Sequence, residues 1–137
     1  MRILALDVGD KRIGVAVSDE LEIAAHGLKT IDRSDPARDI RQIIGIVKEY
    51  EVEEIIVGMP VMMDGSMGIQ GEKVSQFVEG LRTEVKIPIR FMDERLSTKM
   101  VEKALIEADM SRSKRKKVID KLAAVVILQD YLAGRPK

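Results

Sequence analysis

Three stretches of apolar sequence are each interrupted by an acid: Asp7 within ILALDV, Asp93 and Glu94 closing IRFMDE, and Asp120 within KVIDKLAAVVIL. A buried carboxylate costs on the order of several kcal/mol unless it is paired or bound to a metal. Acids at such places are therefore candidates for chemistry. Each also has a purely structural role open to it. Asp7 can accept hydrogen bonds from the Gly9-Asp10-Lys11 turn. Asp93 or Glu94 can cap the following helix or pair with Arg95, and Asp120 can pair with Lys116, Lys117 or Lys121. Three such accidents must coincide for the structural reading to hold throughout. Converging carboxylates without His or Cys describe a Mg²⁺ or Mn²⁺ site for phosphodiester hydrolysis, in which two ions about 3.5–4 Å apart activate water and stabilise the leaving oxygen.

The rest of the composition narrows the chemistry further. There is no cysteine, which excludes disulfides, thiolate catalysis and Cys-bearing zinc sites. The single histidine, His26, excludes two-His metal motifs, and it reads as a satisfied strand or loop residue. Any metal ligands are then mainly carboxylates and water, which suit Mg²⁺ or Mn²⁺. Basic and acidic residues balance at 23 each, so the global field offers a polyanion no attraction and basic charge must act locally. It is concentrated in SRSKRKK, where Arg112, Lys114, Arg115, Lys116 and Lys117 precede Asp120. A solvated helix start is the plain reading of such a run. However, basic charge at a helix N-terminus opposes the macrodipole, so helix stability does not explain it. Lys11 and Arg12 in the first turn and Arg95 after the last strand are further candidate phosphate contacts.

The elements that must position these residues follow from periodicity. Arg2 to Val8 reads as a buried strand, Arg12 to Ser18 as its hairpin partner and about Ile23 to Thr30 as a weaker third strand, together an antiparallel meander. Gly14 would permit a close backbone approach. Pro36 to Tyr50 carries Ile40, Ile43, Ile44 and Val47 at helical spacing, with Pro36 suited to the first turn. A strand over Glu54 to Gly58 follows, then a loop over Met62 to Gly68, a helix from about Ile69 to Glu84 and a strand over Ile89 to Met92. Ser97 can cap a helix to about Asp109, and Ser111 or Ser113 can cap the last one, to about Leu132. Its Ala123, Ala124 and Ile127 form a small-residue face able to lie close to a sheet. The order βββ-α-β-α-β-α-α implies an α/β fold with a mixed sheet and helices on both faces. The 137 residues are expected to form one domain, 1–137. No stretch approaches the ~20 apolar residues of a membrane span. The N-terminus lacks a signal-peptide cleavage pattern, so the cytoplasm is the expected compartment.

Four ordered blocks, ALDVGDKRIGVAVSD, IIVGMPVMMDGS, FMDERLST and DKLAAVVILQDYL, make the whole chain resemble the YqgF/RuvX family of ribonuclease-H-like nucleases. The resemblance implies a five-stranded mixed sheet and a divalent-metal nuclease, with catalytic and metal-binding roles for Asp7, the acid after the last strand and Asp120. Of the adjacent pair, Glu94 is preferred to Asp93. It further implies nucleic acid as partner, either the 5′ end of precursor 16S ribosomal RNA or a branched Holliday junction, with ribosomal particles as associates. The fold does not choose between these substrates. A dimer would suit a two-fold junction, whereas RNA trimming needs only a monomer.

Two other classes fit part of the sequence. LDVGDKRIGVAVSD resembles the first phosphate loop of actin-like and sugar-kinase-like ATPases, but those enclose nucleotide between two lobes and 137 residues supply one. A non-catalytic RNA-binding assembly factor would share the fold but has no need of all three acids. Metal-dependent cleavage separates it from the nuclease.

Overall fold

The computed structural model describes residues 2–22, 24–60, 68–93 and 112–134, with 112–121 given as helical backbone alone. Aliphatic and β-branched residues build three antiparallel strands: β1 (Arg2–Val8), β2 (Arg12–Ser18) and β3 (Ala25–Asp32). On its other side β1 pairs in parallel with β4 (Val52–Met59), which pairs in parallel with β5 (Ile89–Asp93). The spatial order is β3-β2-β1-β4-β5, the mixed five-stranded sheet implied by the sequence. The third strand lies about two residues later than its hydrophobic pattern suggests. Its ladder runs on to Arg12↔Asp32, and the Arg33 N–H donates to the Lys11 carbonyl at 2.9 Å. Pairing with the first hairpin, more than apolar content, sets where β3 ends.

Side chains alternate across the sheet and divide the core into two layers. Leu4, Leu6 and Val8 of β1 face a layer closed by the helices α1 (Pro36–Glu49) and α2 (Gly68–Arg82). Asp35 caps α1 by accepting the Arg38 N–H at 2.9 Å, and Pro36 occupies the first turn as expected. Gly68 opens α2 at φ 69°, a left-handed conformation that favours glycine, so the helix begins where the sequence reading ends its loop.

Ile3, Ala5, Ala16 and Ile56 face the opposite layer, where Ala124, Ile127 and Leu128 of the helix α3 (Arg112–Gly134) pack on them. The small-residue face read from the sequence is thus the contact face: Ala123 and Ala124 are both 0% exposed. Ser113 lies inside α3, not before it, which corrects its assignment as a cap. Ser111, the expected helix from Ser97 to about Asp109, and the loop from Met62 up to residue 67 lie outside the described residues.

Candidate active site

Asp7 occupies the penultimate position of β1, half-buried, where the strand approaches its carboxyl end. Because Ile3 and Ala5 pack beneath α3, strand alternation places Asp7 on that same face. Its cross-strand partner is Gly14, so no side chain from β2 fills the space beside the carboxylate. Arg12, two positions from Gly14, shares this face, while Lys11 is exposed at the tip of the turn. Gly9 closes the turn by donating its N–H to the Arg12 carbonyl at 2.9 Å. A Cβ at Gly9 would stand 2.8 Å from that carbonyl oxygen, so the turn requires glycine here.

A second set of contacts holds this turn from the opposite layer. Arg33 donates from Nη1 to the Gly9 carbonyl at 2.7 Å and from Nε to Asp39 Oδ2 at 3.0 Å. Its guanidinium also lies over the Phe77 ring, 5.0 Å from the centroid. Asp39 is 0% exposed, and its other oxygen accepts from the Ser34 N–H at 3.1 Å and the Ser34 hydroxyl at 3.3 Å. The turn after Asp7 is thereby tied to the start of α1 and the middle of α2. Neither Arg33 nor Asp39 stands out in the sequence as functional. A signal exists, however: Asp39 falls on the stripe of Ile43 and Ile46, an acid on an otherwise buried helix face.

The remaining candidates divide by face. Met92 packs in the α3 layer, so alternation turns Asp93, the last residue of β5, toward the other side, where it is exposed. Asp93 and Asp7 thus stand near the carboxyl ends of β5 and β1, which β4 separates, and face opposite ways. Glu94 and Arg95 lie outside the described residues. Arg112, Lys114, Arg115, Lys116, Lys117 and Asp120 all fall in the first half of α3. His26 is exposed on the edge strand β3, two strands from β1. Among the described residues no three His, Cys, Asp or Glu side chains form a metal-binding group.

The far end of α3 is anchored by a buried acid with a structural role. Glu54, 8% exposed at the start of β4, accepts the Tyr131 hydroxyl at 2.7 Å and Arg90 Nε at 2.6 Å on the same oxygen. Since Glu54 is level with Ile3 at the beginning of β1, the carboxyl-terminal end of α3 lies over the start of the strand that carries Asp7, and the helix runs back from there across β1, β2 and β3.

The comparisons with known proteins agree with this architecture. The model of the RuvX family, described as Holliday junction resolvase, matches residues 1–134. A protein of Desulforamulus reducens is 56% identical over 137 residues, covering 100% of both chains. One of Caldanaerobacter subterraneus is 57% identical over 133 residues, 96% of each. Both bear the provisional name pre-16S rRNA nuclease. Among solved structures, the chain is similar to Thermus thermophilus RuvC in complex with a Holliday junction substrate, with TM-score 0.61, 15% identity and coverage of 98% of this chain and 95% of that one. It is also similar to the fowlpox virus resolvase bound to Holliday junction DNA, with TM-score 0.62, 14% identity and 100% of both chains covered. At that identity the likeness shows the ribonuclease-H-like fold and nothing finer. With its family model matched nearly end to end and full-length relatives above half identity, the chain belongs to the RuvX family.

Proposed function

We propose that this protein is a divalent-metal-dependent nuclease of the cytoplasm, with Asp7, Glu94 and Asp120 as its acids and the 5′ end of precursor 16S ribosomal RNA as its substrate. The observation that carries this reading is the direction of α3. From Ile3, level with the Tyr131 anchor, Asp7 lies four strand residues along β1, about 13 Å. From Tyr131, Asp120 lies eleven helical residues back along α3, about 16 Å. A helix running in that direction supports a reading in which the two acids work at similar heights, near the carboxyl ends of the parallel strands. That is where ligands of open α/β sheets bind. On β5 the α3 face belongs to even-numbered positions, and the acid next in that numbering is Glu94, not Asp93.

The donor set fits Mg²⁺ or Mn²⁺ in its chemistry: carboxylates beside a side-chain-free position at Gly14, with no thiolate in the sequence and the only imidazole on β3. A bound metal pair would supply a water of lowered pKa and charge stabilisation at the phosphate. The chain's own contribution is orientation. Asp7 stands on a strand paired on both sides, Lys11 and Arg12 flank it in the following turn, and the basic first turns of α3 provide charge to hold the phosphate backbone.

A Holliday junction is the second reading, favoured by the family's description and by the junctions bound in the RuvC and fowlpox structures. The test is to incubate the protein and its Asp7→Asn variant with a precursor 16S 5′-end RNA and a synthetic four-way junction, with Mn²⁺ or chelator. Metal-dependent RNA cleavage that falls at least a hundredfold in the variant, at unchanged folding, is the expected outcome. Equal activity in Asp7→Asn would remove the assignment. Cleavage of the junction alone would move the substrate to branched DNA, and binding without cleavage of either would favour the assembly factor.

A further inference from the structure

A cleft of about 290 Å³ opens on the sheet face opposite Asp7, beside the same strand end. Val8, Val74 and Phe77 form its apolar floor, Arg33 one wall, and Gln70, Lys73, Gln76 and Asp10 its polar margin. The floor is rigid: Val8, Val74 and Phe77 belong to the buried core, and Arg33 is fixed by Asp39 and by Gly9. Asp7 and Val8 are consecutive, so a strand of nucleic acid crossing the end of β1 would meet the acid on one side and this cleft on the other.

From this placement the geometry points to a binding site for one unpaired nucleobase of the substrate, adjacent to the nucleotide whose phosphate is cut. Three features select a base over other ligands. The volume is at the lower end of the range for small-molecule pockets, too small for a duplex and suited to one ring system. An aromatic-backed guanidinium and an aliphatic floor offer flat surfaces, and two glutamine amides offer paired donors and acceptors; these are the means by which splayed-out single-stranded bases are recognised. The margin is also unfavourable to phosphate, because Lys73 Nζ is already paired with Asp10 Oδ1 at 3.4 Å and the carboxylate would repel a second anion. That carboxylate can instead accept from a base amino group. The arms of a four-way junction are fully paired and have no such base to offer, so the cleft favours single-stranded RNA.

This inference rests on the nuclease reading for its geometry, but its test is a binding measurement that needs no catalysis. The experiment uses Asp7→Asn protein and a short single-stranded RNA carrying 2-aminopurine at successive positions around the cleavage site. The expected result is strong quenching at one position only. A Gln70→Ala/Gln76→Ala double variant, altered at helix-surface positions, should lose that quenching and about tenfold in affinity for the single strand. Its affinity for a four-way junction should stay within twofold. Uniform quenching at all positions, or equal losses on both nucleic acids, would overturn the proposal. If the active protein cuts nothing yet the position-specific quenching persists, the base site stands and the nuclease reading fails.

Discussion

At the scale of single residues, the fully buried acids of the described core have neighbours that explain their burial. Asp39 and Glu54 are the two buried acids of the described core, and each is saturated by partners. Asp39 in particular neutralises Arg33, whose side chain is 22% exposed. Asp39→Ala should remove the charge partner and leave the guanidinium half-desolvated, with an expected loss of about 2–4 kcal/mol in urea unfolding. The same variant releases the Gly9 turn, so nuclease activity should fall further than the change in folded fraction accounts for. A loss confined to stability would show that the clamp serves the fold alone. Asp7 draws attention in the sequence because an acid interrupts an apolar run. Arg33 does not, because its significance lies in a carbonyl contact 24 positions away in sequence that periodicity does not encode.

At the scale of elements, strand and helix positions followed from the apolar periods, and misreadings fell at boundaries. The end of β3 depends on a hydrogen bond to the first turn, and Ser113 is absorbed into α3 because the basic run continues the helix through it. That Asp93 faces away from the α3 layer follows from the packing of Met92, which no local pattern supplies. The seat of α3 depends on Ala124, fully buried against the sheet. Ala124→Leu should overpack that contact and destabilise the fold by about 1–3 kcal/mol, read as a lower midpoint in chemical denaturation. Since the helix would lift from the face carrying Asp7, cleavage should drop more steeply than in a Tyr131→Phe variant, which loses one hydrogen bond worth about 1 kcal/mol at the distant end. Similar activity losses in the two would show that α3 positions nothing at the site.

At the scale of the whole molecule, charge neutrality makes a distinctive prediction. With 23 basic and 23 acidic residues, net charge supplies no long-range attraction to nucleic acid, and the proposed function assigns affinity to the basic stretch of α3 and the first turn. Binding should weaken with salt in proportion to the phosphates contacted. Replacing Lys114 and Lys116 by Gln should lower the slope of log affinity against log salt by about 1–2 for DNA-like contacts. An unchanged slope would place the phosphate contacts elsewhere. Among the described residues no helix is long and apolar enough to cross a membrane.

The placement of α3 also has a consequence in time. Strands β1 to β3 can pair as soon as the first third of the chain is made, whereas the helix that covers their Asp7 face comes last in the described sequence. Since domains take shape as they leave the ribosome, N-terminal part first, a nascent chain would carry Asp7 for most of its synthesis without Asp120 on the opposing helix. Under the proposed function, a nuclease aimed at ribosomal RNA would thus be born inert beside the particle that makes it. It would gain its full complement of acids only when its last helix docks.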